Sequence, residues 1–135
     1  LVEQSGARVV IDDLCAGTRP YWSDVGAAGK PVAAIAKGYL EKINCPRTFR
    51  ESPGTHQADL ENRFGYIHQF VRDFKADGVI LYVIMYCDTH AFDAPDLVEY
   101  LKSKNVPVLH LEEEYQTSAL GRLKTRVQAF LETIG

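Results

Sequence analysis

The sequence is poor in the features that fix a protein to one compartment or partner by composition alone. It has three cysteines, one methionine (Met85) and one tryptophan among 135 residues. Cys15, Cys45 and Cys87 are an odd set, widely separated, and no pair has C-x-x-C spacing. This excludes a secreted disulfide framework and a zinc knuckle. With no secretory h-region beside them, reduced thiols in a cytoplasmic protein are expected. The longest apolar run, residues 79–87, falls far short of the ~20 residues that cross a bilayer, so no membrane partner is expected. Nor is there a basic excess. The formal net charge of −3 gives no global field for nucleic acid. Repeats, low-complexity tracts and linkers are missing as well. Residues 26–30 (GAAGK) lack P-loop spacing and a preceding strand, which argues against nucleotide binding. The chain opens at Leu1 rather than Met, and residues 1–6 (LVEQSG) read as the last turn of a helix. A piece of something longer is the expectation.

What is present is a regular alternation of elements. Residues 8–12 (RVVID) predict a short β-branched strand, followed by the turn-rich 15–20 (CAGTRP). Pro31 opens a helical stretch with Ile35, Tyr39, Leu40 and Ile43 on one face, ended by residues 44–46 (NCP). Residues 46–55 predict a loop. Leu60, Phe64, Ile67, Val71 and Phe74 recur at helical spacing over 56–75, until residues 77–78 (DG) break the pattern. Residues 79–84 (VILYVI) form an apolar run expected to be a strand buried on both faces. Asp93 predicts an N-cap, with Pro95 in the first turn of a helix ending near Lys104. Residues 106–111 (VPVLHL) predict a third strand, with Pro107 tolerated at its start. A last helix puts Leu120, Leu123, Val127, Phe130, Leu131 and Ile134 on one face. The pattern predicts a single α/β domain over 1–135: a three-layer, mostly parallel Rossmann- or flavodoxin-like sheet with flanking helices.

In such sheets ligands bind beyond the carboxyl ends of the strands. Three polar clusters are therefore expected on one edge: Asp12, Asp13 and Cys15; then Cys87, Asp88, Thr89 and His90; then Glu112, Glu113, Glu114 and Tyr115. Most of these residues also have a plain structural reading. Cys15 and Cys45 suit core packing as small hydrophobes. Asp12 and Asp13 point to opposite faces of a strand, so turn and capping roles are expected for at least one. Residues 112–114 read as a solvated acidic loop, and His68, beside its helix's apolar stripe, as structural. Cys87 stands out, since it directly follows the most apolar strand. Cys87 with His90 is only a weak zinc or thiol-enzyme signal.

Residues 77–90 (DGVILYVIMYCDTH) resemble a signature of the 2-hydroxyacyl-CoA dehydratase and benzoyl-CoA reductase family, in which a buried strand runs into a Cys-Asp pair. Three further segments agree in the family's order: 9–19 (VVIDDLCAGTR), 92–112 (FDAPDLVEYLKSKNVPVLHLE) and 121–132 (GRLKTRVQAFLE). The resemblance covers nearly the whole chain and corresponds to the C-terminal domain of a subunit about three times longer. It implies an oxygen-sensitive [4Fe-4S] cluster with Cys87 as a ligand, the others coming from an upstream domain. Tyr86, Asp88, Thr89 and His90 would surround that ligand. The resemblance does not make Cys15 or Cys45 cluster ligands. It also implies a second homologous subunit, an acyl-CoA substrate and an ATP-dependent iron–sulfur activator. That activator delivers one electron, which generates a ketyl radical in the dehydratases and enters an aromatic ring in the reductases. The family often has Lys where this chain has Met85, and Pro where it has Thr89, which leaves subfamily and substrate open. Arg19 and Lys124 or Arg126 are candidates for an acyl-CoA phosphate or carboxylate, with surface solvation the plainer reading. The alternative to an enzyme part is a non-catalytic module for subunit packing or partner docking.

Overall fold

The computed structural model describes residues 1–26, 29–114, 116 and 120–135. Within it lie four α-helices and two strands: α1 (Pro31–Lys37), α2 (His56–Asp73), β1 (Val79–Ile84), α3 (Asp88–Ser103), β2 (Val108–Glu113) and α4 (Leu120–Ile134). A single turn of π-helix, Gly38–Lys42, prolongs α1. Short 3-10 turns occupy Glu3–Ser5 and Arg19–Tyr21. The chain divides into two compact units, one of Leu1–Val10 with Ser52–Gly135 and one of Ile11–Glu51.

The first unit is an α/β assembly around a two-stranded parallel sheet, with Val79 opposite Val108 and Ile84 opposite Glu113. The side-chain alternation of a strand sorts its apolar residues onto two faces. Val79, Leu81 and Val108 pack against a cluster of Leu60 and Phe64 from α2, Leu97, Tyr100 and Leu101 from α3, and Val106. Ile80, Leu109 and Leu111 pack instead with Leu123, Val127 and Leu131 of α4, and with Val2. Helices therefore cover both faces of the strand pair, and α3 is the crossover that parallel strands require. The α2 stripe is as expected through Val71, but Phe70 is buried where Phe74 stays 39% exposed. Thr55 caps α2 by accepting a hydrogen bond from Ala58 N. Gly78 precedes β1 in a tight spot: a Cβ there would lie 2.8 Å from Phe130 Cζ and 3.3 Å from Pro107 O, so a larger residue requires the Phe130 ring to shift.

Four expectations are corrected. Residues 8–12 form no strand, and Val9 and Val10 are 51% and 41% exposed. A β-branched run makes a strand only where it finds a partner edge. β1 is not buried on both faces throughout: Val83 is buried, yet Tyr82 is 37% exposed. The helix expected from Asp93 starts at Asp88, because Ala91 N already reaches Cys87 O at 3.0 Å. Pro95 is then inside α3, and Asp93 pairs with Arg63 of α2 rather than capping. Last, the expected acidic loop is largely strand, since β2 runs through Glu113.

The second unit is different in kind. Its elements are α1 with its π turn and the 3-10 turn Arg19–Tyr21. The apolar face read from the sequence is largely open: Ile35, Tyr39 and Leu40 are 57%, 67% and 72% exposed, and only Ile43 is half-buried. Hydrogen bonds shape the loops instead. Asp12 Oδ1 accepts from Leu14 N at 3.2 Å and Thr18 N at 2.9 Å. A Cβ on Gly17 would fall 2.0 Å from that same oxygen, so the loop closes only around glycine. Among the described residues no helix is long and apolar enough to cross a membrane.

Candidate functional site

The chemistry-bearing residue with the most defined setting is Cys87. β1 ends at Ile84 opposite the end of β2, and Met85 N donates to Glu113 O at 3.0 Å. Cys87 N donates back to Ile84 O at 3.0 Å, closing a four-residue turn. Tyr86 within it has φ 71°, a left-handed conformation that costs a non-glycine residue about 1–2 kcal/mol. The turn delivers Cys87 to the N-cap position of α3. Its thiol is half-buried and lies 3.9 Å from Thr89 Oγ1. The first turn of a helix carries unbonded N–H groups and favours negative charge. Tyr86 is 84% exposed, Asp88 is exposed in the first turn of α3, and Thr89 and His90 are half-buried.

Two of the three expected clusters belong to the first unit, and these two meet. The 87–90 segment and the 112–114 segment share the carboxyl end of the strand pair through the Met85–Glu113 hydrogen bond. Tyr115 lies outside the described residues. Asp12, Asp13 and Cys15 belong to the other unit, in a loop of their own. There Arg19 is buried and grips Asp13, with Nη2 2.8 Å from Oδ2 and Nε 3.1 Å from Oδ1. Its Nη1 stands 3.5 Å from the Sγ of exposed Cys15. Both expectations for that loop change: Arg19 is no solvated surface group, and Cys15 is not packed in a core. The N–H of Thr18, chiefly, holds the Asp12 carboxyl below its ordinary 3.8, with Leu14 N–H and the Thr18 hydroxyl assisting. Cys45 is half-buried in a turn closed by Thr48 N to Cys45 O at 2.8 Å. Arg126 is committed to His110 O at 2.7 Å, while Lys124 is exposed.

A family model described as 2-hydroxyglutaryl-CoA dehydratase, D-component, matches residues 1–134. The chain belongs to this D-component family. Its relatives include Escherichia coli (strain K12) YjiM, named as a candidate dehydratase subunit, at 29% identity over 98% of this chain and 32% of YjiM. The (R)-phenyllactyl-CoA dehydratase beta subunit of Clostridium sporogenes is 24% identical over 99% of this chain and 33% of its own length. A benzoyl-CoA reductase subunit of Thauera aromatica is 22% identical over 98% of this chain and 33% of its own length. This D-component chain thus spans about a third of the curated relatives it matches.

An iron–sulfur cluster is held by several cysteine thiolates. Among the described residues of this family member, no group of three or more His, Cys, Asp or Glu converges to hold a metal. The donor chemistry at Cys87 fits one ligand of such a set: a half-buried thiol at a helix N-terminus, beside a hydroxyl. Sequence reasoning missed Arg122 altogether, and it read Glu113 as part of a solvated loop. Glu113 is only 5% exposed, and Arg122 Nη2 sits 2.8 Å and 2.6 Å from its two carboxylate oxygens. Strand parity carried that signal, because Glu113 shares the α4 face with Leu109 and Leu111.

Proposed function

We propose that this chain is the part of an acyl-CoA dehydratase or aromatic acyl-CoA reductase subunit that contributes Cys87 as one ligand of a [4Fe-4S] cluster. The remaining ligands come from the rest of a longer subunit, of which residues 1–135 are one α/β domain. The observation that carries this reading is the strand–turn–helix that seats Cys87 at the carboxyl end of a parallel strand pair. Ligand sites of open α/β sheets gather at that edge. When bound, the cluster supplies one electron at low potential, for hydroxyl loss from a 2-hydroxyacyl-CoA or for ring reduction.

The work of this chain is to hold the ligand and tune its surroundings. The Cys87 turn fixes the sulfur relative to the sheet. Thr89, whose hydroxyl lies 3.9 Å from the Cys87 sulfur, would be a hydrogen-bond donor to it, and such hydrogen bonds tune a cluster's potential. Tyr86, Asp88 and His90 complete the surroundings. The partners in this reading are a second homologous subunit, the acyl-CoA and an ATP-dependent iron–sulfur activator, all in the cytoplasm. The two strands are the nucleus of a wider, three-layer flavodoxin-like sheet.

Iron and sulfide analysis of the anaerobically purified full-length complex tests the proposal. The expected content is roughly four irons per subunit, falling sharply in Cys87→Ser and unchanged in Cys45→Ser. Equal iron with and without Cys87 overturns it. One observation favours a second, non-catalytic reading as a packing module, namely the open apolar face of α1 and its π turn. In that case Cys87→Ser leaves iron and activity intact, whereas charges placed on the α1 face abolish subunit assembly.

A further inference from the structure

The Cys87 turn is strained where it should be most precise, and its support lies in another part of the unit. Tyr86 holds a left-handed φ of 71° with its ring 84% exposed, so no packing of the ring keeps it there. Two backbone hydrogen bonds do: Cys87 N to Ile84 O, and Met85 N to Glu113 O. The second ties the turn to the last residue of β2. That residue is a nearly buried carboxylate, which the fold tolerates only with a countercharge. Arg122, in the first turn of α4, supplies it through one nitrogen facing both carboxylate oxygens. Strain of this kind persists where the surroundings over-determine it, and it clusters at functional sites.

We propose that Glu113 and Arg122 are positioning residues for Cys87. The ion pair anchors the end of β2, β2 anchors Met85, and the turn so held aims the Cys87 sulfur. This rests on the reading of Cys87 as a cluster ligand for its purpose, but not for its test. Arg122 has a side chain 68% exposed, so replacing it would be nearly silent on an ordinary surface. Here its loss strands a buried carboxylate and frees the edge that holds the turn.

The test is the alkylation rate of Cys87 by iodoacetamide in the 135-residue chain carrying Cys15→Ser and Cys45→Ser, metal-free and below the unfolding range. Arg122→Ala and Glu113→Ala are expected to change that rate several-fold, and the neutral amide pair Glu113→Gln with Arg122→Gln to restore it. Lys124→Ala, an exposed neighbour on α4, and Val127→Ala, which weakens the core without touching the turn, are expected to leave it alone. An unchanged rate in both Arg122→Ala and the amide pair overturns the proposal. So does an equal shift in Val127→Ala, since general loosening would then suffice. If Arg122→Ala does not fold, Arg122→Gln, which removes the charge while keeping part of the side chain, reads the same contrast. No iron enters this measurement, so a failed iron test of Cys87 and a failed alkylation test are separate results.

Discussion

In the unit of Leu1–Val10 with Ser52–Gly135, deeply buried apolar side chains run from Leu60 to Val127. Among the described residues of Ile11–Glu51, the one side chain buried to that degree is a cation, Arg19. The first unit is held by hydrophobic burial on both faces of a strand pair. The second takes local order from a carboxylate that gathers two amides and from a buried ion pair, while its larger apolar residues face outward. Burial stabilises a whole cooperative unit, whereas a hydrogen-bonded loop stabilises mainly itself. The two should respond to different perturbations.

The largest expected effect is in the first unit. Leu101, at 0% exposure, should lose about 2–5 kcal/mol on replacement by Ala, read as a lower urea midpoint at unchanged slope. An effect below ~1 kcal/mol would break the distinction. Next is Arg19→Ala, which leaves Asp13 without its partner. Faster amide exchange at Leu14 and Thr18 is expected, with the amides of β1 and β2 as protected as before. Loss of protection in both regions would mean that the units are one cooperative body. Third, the pH extremes should separate them. Burial, with the Glu61 carboxylate nearby, pushes the Tyr100 phenol from 10.0 up to about 12. Its contribution is complete below pH 10 and is lost as pH rises toward 12, a dependence that Tyr100→Phe should remove. Asp12, held below 3.8, contributes above that pH and loses its contribution as pH falls beneath it. The Thr18 amide shift in NMR spectra is the measurement for that acid limb. The smallest effect is Leu40→Ala, at 72% exposure, expected to stay within about 0.5 kcal/mol.

The contrast also explains what could be read in advance. Long periodic segments were legible: the α2 stripe through Val71, the α4 face around Leu123 and Val127, and both paired strands. Their periodicity is the burial itself, written at helical or strand spacing. The segment at residues 8–12 was misread because strand propensity says nothing about whether an edge is there to pair with. The start of α3 was misplaced because Asp93 and Pro95 look like a helix start, while the real one is set by backbone hydrogen bonds around Cys87. At the candidate site, the place of Cys87 directly after an apolar run was legible. Not legible were the buried grip of Arg19 on Asp13, six residues away in a loop, and the pairing of Arg122 with Glu113, which meet only through the fold.

The strand pair has one more consequence, for the handling of the molecule. Among the described residues each strand is hydrogen-bonded along one edge only. The β1 segment Val79–Ile84 (VILYVI) carries no charge and no proline. Six-residue segments of that kind on an open edge are the usual seeds of strand-by-strand association between copies. Concentrated samples should therefore gain intermolecular β-structure and fibrillar aggregates on standing. A lysine in place of Tyr82, the exposed side chain of that strand, should slow this growth.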